Sequence, residues 1–233
     1  MNIILVTPDD FIGEQTVRFD DQRAKHIKDV HQAEPGRRLK VGLMNGLMGM
    51  GEVIEAEDSG VVLELLLDRH PPQKLPLTVV LALPRPKMLR RIIQSLSSLG
   101  VRELVLINSY RVEKSYWQSP FLNQLDDYVR LGLEQCVDTV PMQITLEKRF
   151  KPFVEDRLEA LSENSLKLVA HPYVDRVCPR NVEQATTLVI GPEGGFIDYE
   201  VDKLAAVGFE PVSLGDRIQK VETVLPQLIG RLF

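Results

Sequence analysis

The segment IGPEGGF, Ile190 to Phe196, sets three glycines, a proline and a carboxylate between the apolar run Thr187-Leu188-Val189 and Asp198-Tyr199-Glu200-Val201, which reads as a helix start. In an open α/β sheet ligands bind outside the carboxyl ends of the strands, and Ile190-Gly191 is such an end. Glycines bare their backbone N–H groups and a following helix offers its positive end, so phosphate is the first ligand to weigh. The residues argue against it. There is no Gly-Lys-Ser/Thr of a P-loop and no GxGxxG, Pro192 removes one donor, and Glu193 repels phosphate. A phosphate-free ligand with some positive charge suits the loop better; a plain tight turn at Gly191, Gly194 and Gly195 is the alternative that the loop alone leaves open. Two more segments have the same character. SLGDRIQKVET, Ser213 to Thr223, again reads as strand, glycine and helix start, and carries Arg217, Lys220, Glu222 and Thr223; AHP, Ala170 to Pro172, is a third strand-end loop.

These loops need a sheet to hold them, and from Leu77 onward the hydrophobic pattern alternates between strand and helix. Strands are expected at Leu77–Leu83, Glu103–Ile107, Leu166–Ala170, Leu188–Ile190 and Pro211–Leu214. Helices are expected at Lys87–Leu99, Phe121–Val137, Glu155–Leu161 and Asp198–Val207, with Gly100 and Gly208 as C′ residues. Such alternation implies an α/β fold with a mostly parallel sheet and helices on both faces. The N-terminal part reads differently. Arg37–Met44, Gly51–Ala56 and Val61–Leu66 form strands joined by turns at Asn45-Gly46 and Asp58-Ser59-Gly60. Ala24, Ile27, Val30 and His31 lie at helical spacing after an N-cap at Asp20-Asp21. A small β-barrel with an inserted helix is expected, and Gly49-Met50-Gly51 is turn chemistry within it. The prolines of Asp68–Pro76 cannot sit in a central strand and mark the linker.

With 233 residues, 44% hydrophobic and 26% charged, the chain can bury a sizeable core as one large or two smaller domains. No apolar stretch approaches the roughly 18 residues that span a bilayer, and the start has no basic segment before its short apolar run, so a cytoplasmic protein without membrane contact is expected. Cys136 and Cys178 belong to no CxxC pair and have no nearby histidine, which argues against a disulfide framework and against a metal site. A net charge of −5 argues against nonspecific coating of nucleic acid but leaves room for a local basic face.

LVIGPEGGF followed by LGDRIQKVET resembles the signature of the SPOUT-class methyltransferases, and specifically the RsmE family of 16S ribosomal RNA uridine-N3 methyltransferases. AKHIKDV and EPGRRLKV resemble that family's PUA-like N-terminal domain, KMLRRIIQSLSSLGV its first helix after the linker, NSYR its Ser-Glu-Arg turn, and EQC with AHP its later landmarks. The resemblance implies a PUA-like β-barrel over 1–70 that binds RNA, and a trefoil-knotted SPOUT methyltransferase domain over 71–233 acting as a homodimer on 16S rRNA or the small ribosomal subunit. It implies S-adenosyl-L-methionine as cofactor, with a pocket of Leu168, Ala170, His171, Ile190, Gly191, Pro192, Glu193, Gly194, Gly195, Leu214, Gly215, Ile218 and Thr223. Methylating uracil N3 means losing a weakly acidic proton. Arg217 is the candidate that holds the uracil oxygens or a phosphate, and Glu222 the candidate base; a carboxylate that merely favours a helix N-terminus is the plainer reading of Glu222.

RNA needs a cationic approach. Arg85, Lys87, Arg90 and Arg91 crowd a helix N-terminus, where cations oppose the macrodipole, a conflict that points to a phosphate partner or, for Arg90 and Arg91, to a solvated charged face. Arg23, Arg85, Lys87, Arg111 and Lys220 are the RNA-binding candidates. The chain departs from the family at Ser95 and Ser98, where relatives carry Lys and Glu; at Val137-Asp138-Thr139, in place of Gly-Arg; at Lys220-Val221, in place of Arg-Thr; and at Pro226, expected to kink the last helix. Methylation of another nucleotide, a non-catalytic RNA-binding assembly factor and a small-molecule enzyme are the competing readings.

Overall fold

The computed structural model describes residues 2–29, 32 and 34–233. The chain forms two compact units, Met1–Gln73 with Arg130–Pro141, and Lys74–Val129 with Met142–Phe233.

The first unit is built on β1 (Ile4–Val6), β2 (Thr16–Phe19), α1 (Gln22–Asp29), β3 (Arg38–Leu43), β4 (Met48–Glu57) and β5 (Gly60–Arg69). Its five-stranded sheet has the order β1-β3-β4-β5-β2, with only β1–β3 parallel. Alternation sets the faces: Leu39 and Val41 turn inward between Arg38 and Lys40, and Val17 and Phe19 flank Arg18. With Ile4, Val6, Ala24 and Ile27 they make one core. Asn45, at φ 59°, and Asp58-Ser59 make the expected hairpin turns. Gly49 is required where it stands, because a Cβ there would lie 1.8 Å from the Leu66 carbonyl oxygen. Asp21 accepts the Arg23 N–H at 2.8 Å, as the expected N-cap of α1. Val30 and His31, assigned to the same helix face by spacing, lie outside the described residues.

Arg23 is engaged otherwise than as an RNA contact. Its Nε donates to Asp21, its Nη1 to the Leu5 carbonyl and Asp10, and its Nη2 to Asp10 and Asp21, which uses all five N–H groups. The guanidinium also lies 4.3 Å from the centre of the Phe19 ring. Burial pushes the Asp10 carboxyl up, but hydrogen bonds from Arg23 and Thr7 outweigh it and hold the group low; Asp21 is held low chiefly by its hydrogen bond from Arg23. Lowered carboxyls contribute stability above their ordinary value of 3.8, and that stability is lost as pH falls through the still lower folded values. Arg23→Ala strands Asp10, whose side chain is 10% exposed, and is expected to cost about 3 kcal/mol in denaturant unfolding at neutral pH. The variant should also show a flatter loss of stability below pH 3.8 than the parent.

The chain continues with β6 (Leu75–Ala82), α2 (Pro86–Ser98), β7 (Val101–Ile107), α3 (Leu125–Cys136, divided between the units after Val129), β8 (Gln143–Glu147), α4 (Phe150–Phe153), α5 (Glu159–Leu161), β9 (Leu166–Ala170), β10 (Thr186–Ile190), α6 (Asp198–Ala206), β11 (Glu210–Val212) and α7 (Val221–Leu232). The six strands form an all-parallel sheet in the order β11-β9-β10-β6-β7-β8. The β6-α2-β7 crossover moves across the sheet in one direction and β10-α6-β11 in the other, so right-handed connections put α2 and α6 on opposite faces. The contacts agree: Ser97 Oγ of α2 donates to the Val129 carbonyl of α3, while Lys203 of α6 pairs with Glu155 beyond α4. Gly100 and Gly208, at φ 76° and 91°, end α2 and α6.

Several boundaries differ from expectation. Asp68 and Arg69 stay in β5 and Leu75-Pro76 open β6, so only His70–Lys74 connects the strands. Pro76 is tolerated in a central strand because the β6–β7 register breaks between Leu75 and Thr78 and β10 pairs only from Leu77. The helix expected from Phe121 begins at Leu125, after a 3₁₀ turn Pro120–Asn123 capped by Ser119. The helix expected from Glu155 is already under way at Phe150 and passes through a π-turn, Val154–Leu158. Pro226 lies inside α7, which runs on as one helix from Val221 to Leu232. Val137-Asp138-Thr139 acquires a structural part: Val137 stops α3 at φ 62°, Asp138 accepts the N–H groups of Thr139 and Val140, and Thr139 Oγ1 donates to the Gly46 carbonyl at 2.7 Å.

Candidate active site at the strand ends

The glycine loop and its two companions leave neighbouring strands at the same height. Ile190 of β10 pairs with Ala170 of β9, and Ala170 with Val212 of β11, so AHP, GPEGGF and SLGDRI open side by side. Adjacent strands stand about 4.8 Å apart, which makes the three loops walls of one compact region. On its other side Ile190 pairs with Leu81 of β6. Crossovers leave β6 and β10 in opposite directions, and that divergence makes the crevice in which open α/β sheets bind ligands.

Sequence-distant residues hold the glycine loop in shape. Gly191 and Pro192 are buried while Glu193 and Gly194 are exposed. Gly195, at φ 74°, closes a turn by donating to the Pro192 carbonyl at 2.7 Å. Arg85, after β6, reaches across to Glu193 with contacts of 3.0 to 3.1 Å, and Arg111, after β7, donates through Nη1 to the Gly194 carbonyl. Arg85 and Arg111 were expected to meet RNA; the structure ties both to the glycine loop. Each is exposed, so the ties are weak and exchangeable.

Glu200 was expected only as part of a helix start. It is 3% exposed, and its carboxylate accepts the Ile197 N–H at 3.1 Å, the Tyr110 N–H at 2.8 Å and the Ser109 hydroxyl at 3.2 Å. It caps α6 and pins the loop after β7 to it. The N-terminus of α6 is thereby occupied by a carboxylate of its own chain, which supports a ligand other than phosphate. Glu200→Ala would leave three donors without their acceptor and is expected to lower unfolding free energy by about 3 kcal/mol, with Gln recovering part of it. No motif flagged Glu200, because two of its three partners lie 90 and 91 residues away.

The flanking loops are tied down in turn. His171 N–H donates to the Val212 carbonyl at 2.9 Å, and Tyr173 N–H to His171 Nδ1 at 3.3 Å. Ser213 pairs with Val177, and its hydroxyl accepts the Gly215 N–H at 3.4 Å. Gly215, at φ 108°, has open space where a side chain would stand, and Ile218, three residues further on, is 66% exposed. Leu168 is buried in β9, Leu214 is half-buried, and Thr223 is exposed in the first turn of α7. Arg217 is exposed in the same loop, and Lys220 is the N-cap residue of α7. Glu222 lines a groove of about 210 Å³ between α2 and α7, with Arg91, Ser95 and Pro226. Lys87 is exposed in the first turn of α2.

The donor set fits a cationic, phosphate-free nucleoside such as S-adenosylmethionine. Backbone of three loops meets at one place, the exposed Glu193 carboxylate can exchange Arg85 for another positive centre, Gly215 leaves room, and Ile218 offers an apolar surface for a flat ring. No cluster of His, Cys, Asp or Glu suited to a metal ion occurs among the described residues, and no described helix is long and apolar enough to cross a membrane.

The family model of the RNA methyltransferase domain matches residues 71–232. The chain is 29% identical over 231 residues to the ribosomal RNA small subunit methyltransferase E of Treponema pallidum, covering 96% of this chain and 87% of that one. In fold it is similar to a Legionella pneumophila methyltransferase solved in complex with SAM, with TM-score 0.78, 21% identity and coverage of 98% and 95%. It is similar also to the ribosomal RNA small subunit methyltransferase E of Neisseria gonorrhoeae bound to S-adenosyl methionine, with TM-score 0.76, 21% identity and the same coverage.

Proposed function

From the premise that the chain belongs to the RNA methyltransferase domain family, we propose that it methylates uracil N3 of a uridine in 16S ribosomal RNA, using S-adenosylmethionine. The observation that carries this reading is the register that sets Ala170, Ile190 and Val212 in one row, so that three motifs scattered over the sequence converge. The names of the relatives support the rRNA substrate, and the SAM-bound structures of similar fold support the cofactor. The reading carries with it a trefoil knot in the second unit, a PUA-like first unit, a homodimer and a place in the cytoplasm.

When bound, S-adenosylmethionine supplies an electrophilic methyl group. Ala170, His171, Ile190 to Gly195, Leu214, Gly215 and Ile218 would hold it, with Leu168 and Thr223 at the edges. The remaining tasks fall to side chains of this chain. Glu222 accepts the N3 proton, which can contribute roughly 10²–10⁴-fold. Arg217 spans the uracil oxygens and stabilises the negative charge that the lost proton leaves on the ring. Holding N3 in line with the methyl can contribute roughly 7–11 kcal/mol. Lys87 and Lys220 offer charge to the RNA backbone, and Arg85 and Arg111 can exchange their loop contacts for phosphates.

Nucleoside mass spectrometry of small-subunit rRNA from a strain lacking the protein tests the substrate. The expected result is loss of 3-methyluridine, restored by the intact gene; persistence of 3-methyluridine would overturn the assignment. A non-catalytic RNA-binding factor would instead bind RNA with no affinity for S-adenosylmethionine in calorimetry.

A further inference from the structure

Tyr110 is 78% exposed, the largest value among the described exposed hydrophobics, yet the backbone at and around it is hydrogen-bonded. Its own N–H and the Ser109 hydroxyl are held by the buried Glu200 carboxylate. On one side Asn108 donates its N–H to the Glu147 carbonyl at 3.0 Å and accepts from Trp117 Nε1 at 2.9 Å. On the other side Arg111 is tied to Gly194, and Val112 N–H donates to the Ser109 carbonyl at 3.0 Å. The ring itself enters no hydrogen bond or ring contact among the described residues. Fixed backbone with a solvent-facing ring is a costly arrangement for packing and a useful one for binding, since little further ordering is needed when a partner arrives.

We propose that Tyr110 is a base-stacking platform at the rim of the site, holding an unpaired nucleobase of the RNA beside the nucleotide being modified. The inference rests on the RNA methyltransferase reading and adds a substrate-positioning residue to it. The surroundings favour a nucleic acid over a protein partner. Arg111 follows Tyr110 in the chain and reaches Gly194, and Arg85 reaches Glu193, so exposed guanidinium groups lie on the glycine loop that the Tyr110 backbone flanks. Aromatic faces flanked by positive charge are how single-stranded nucleic acids are held without base-specific hydrogen bonds.

The test is fluorescence anisotropy of the full chain with a labelled single-stranded RNA oligonucleotide and with an RNA duplex, alongside calorimetry with S-adenosylmethionine. Tyr110→Ala is expected to weaken single-strand binding about tenfold, and Tyr110→Phe to stay close to wild type because the ring is kept. Duplex binding and cofactor affinity should be unchanged in both variants. Equal single-strand affinity in wild type and Tyr110→Ala overturns the inference, and so does a Tyr110→Phe loss as large as that of Ala, which would assign the effect to the hydroxyl. Those outcomes leave the methyltransferase reading standing; a wild-type chain that binds no RNA of either form overturns both.

Discussion

Gly191→Val is expected to abolish detectable S-adenosylmethionine binding, a loss of about a hundredfold or more by calorimetry. A Cβ at Gly191 would stand 3.1 Å from a ring carbon of Phe196 and 3.2 Å from the Phe196 backbone nitrogen. Neither neighbour can swing aside cheaply. The nitrogen belongs to the main chain, and the ring packs at 6.0 Å between centroids against Phe150. Phe196 has to give by a few tenths of an ångström for the Cβ alone and further for the two methyl groups of valine, which shifts the loop proposed to wrap the ligand. Gly194 offers a gentler site, since its Cβ would meet the flexible Arg111 side chain, at 3.1 Å from Cδ. Gly230→Ala is the matching control, because nothing lies within 4 Å of a Cβ there; its affinity should equal that of the parent. Undiminished cofactor affinity in Gly191→Val would remove the glycine loop from the site.

Arg217→Ala is expected to behave in the opposite way, losing at least roughly 10²-fold in turnover on small-subunit rRNA while cofactor affinity stays within a few-fold. Arg217 is exposed on the loop after β11 and makes no ion pair or side-chain hydrogen bond among the described residues, so its removal breaks no polar contact of the fold. Its proposed work begins only when negative charge develops on the base. Arg217→Lys should restore little, because an ammonium cannot span two oxygens as a guanidinium does. In the same assay Glu222→Gln should lose turnover without losing RNA affinity. Unchanged turnover in Arg217→Ala would contradict its role, and a matching fall in cofactor affinity would make it a cofactor ligand.

What the sequence discloses about this protein follows from how local each signal is. IGPEGGF is legible because an apolar run, three glycines and an acidic helix start follow one another without a gap, and β10, its loop and α6 fall where they are expected. Strand β8 passes unnoticed because Gln143–Glu147 is an edge strand whose residues are exposed or half-buried, which leaves no apolar run to detect. The grouping of Arg130–Pro141 with the first unit is invisible too, since Leu125–Cys136 reads as one amphipathic helix and nothing local says where its ends pack. At the site, the motif residues can be picked out one loop at a time. Their supports cannot. Arg85 meets Glu193 across 108 residues and Arg111 meets Gly194 across 83, and only the parallel order of the sheet brings such pairs together. Arg23 errs in the other direction: a basic segment suggests RNA, while three dimensions close the guanidinium between two carboxylates and a backbone carbonyl.

The proposal that neighbouring strand ends form the methyl-donor site is tested most directly by a crystal structure of the protein with S-adenosylmethionine. The ligand is expected against Ala170-His171, the Ile190–Gly195 loop and Leu214–Ile218, with its sulfonium on the side from which Arg217 projects. Electron density for it anywhere else on the molecule would contradict the account.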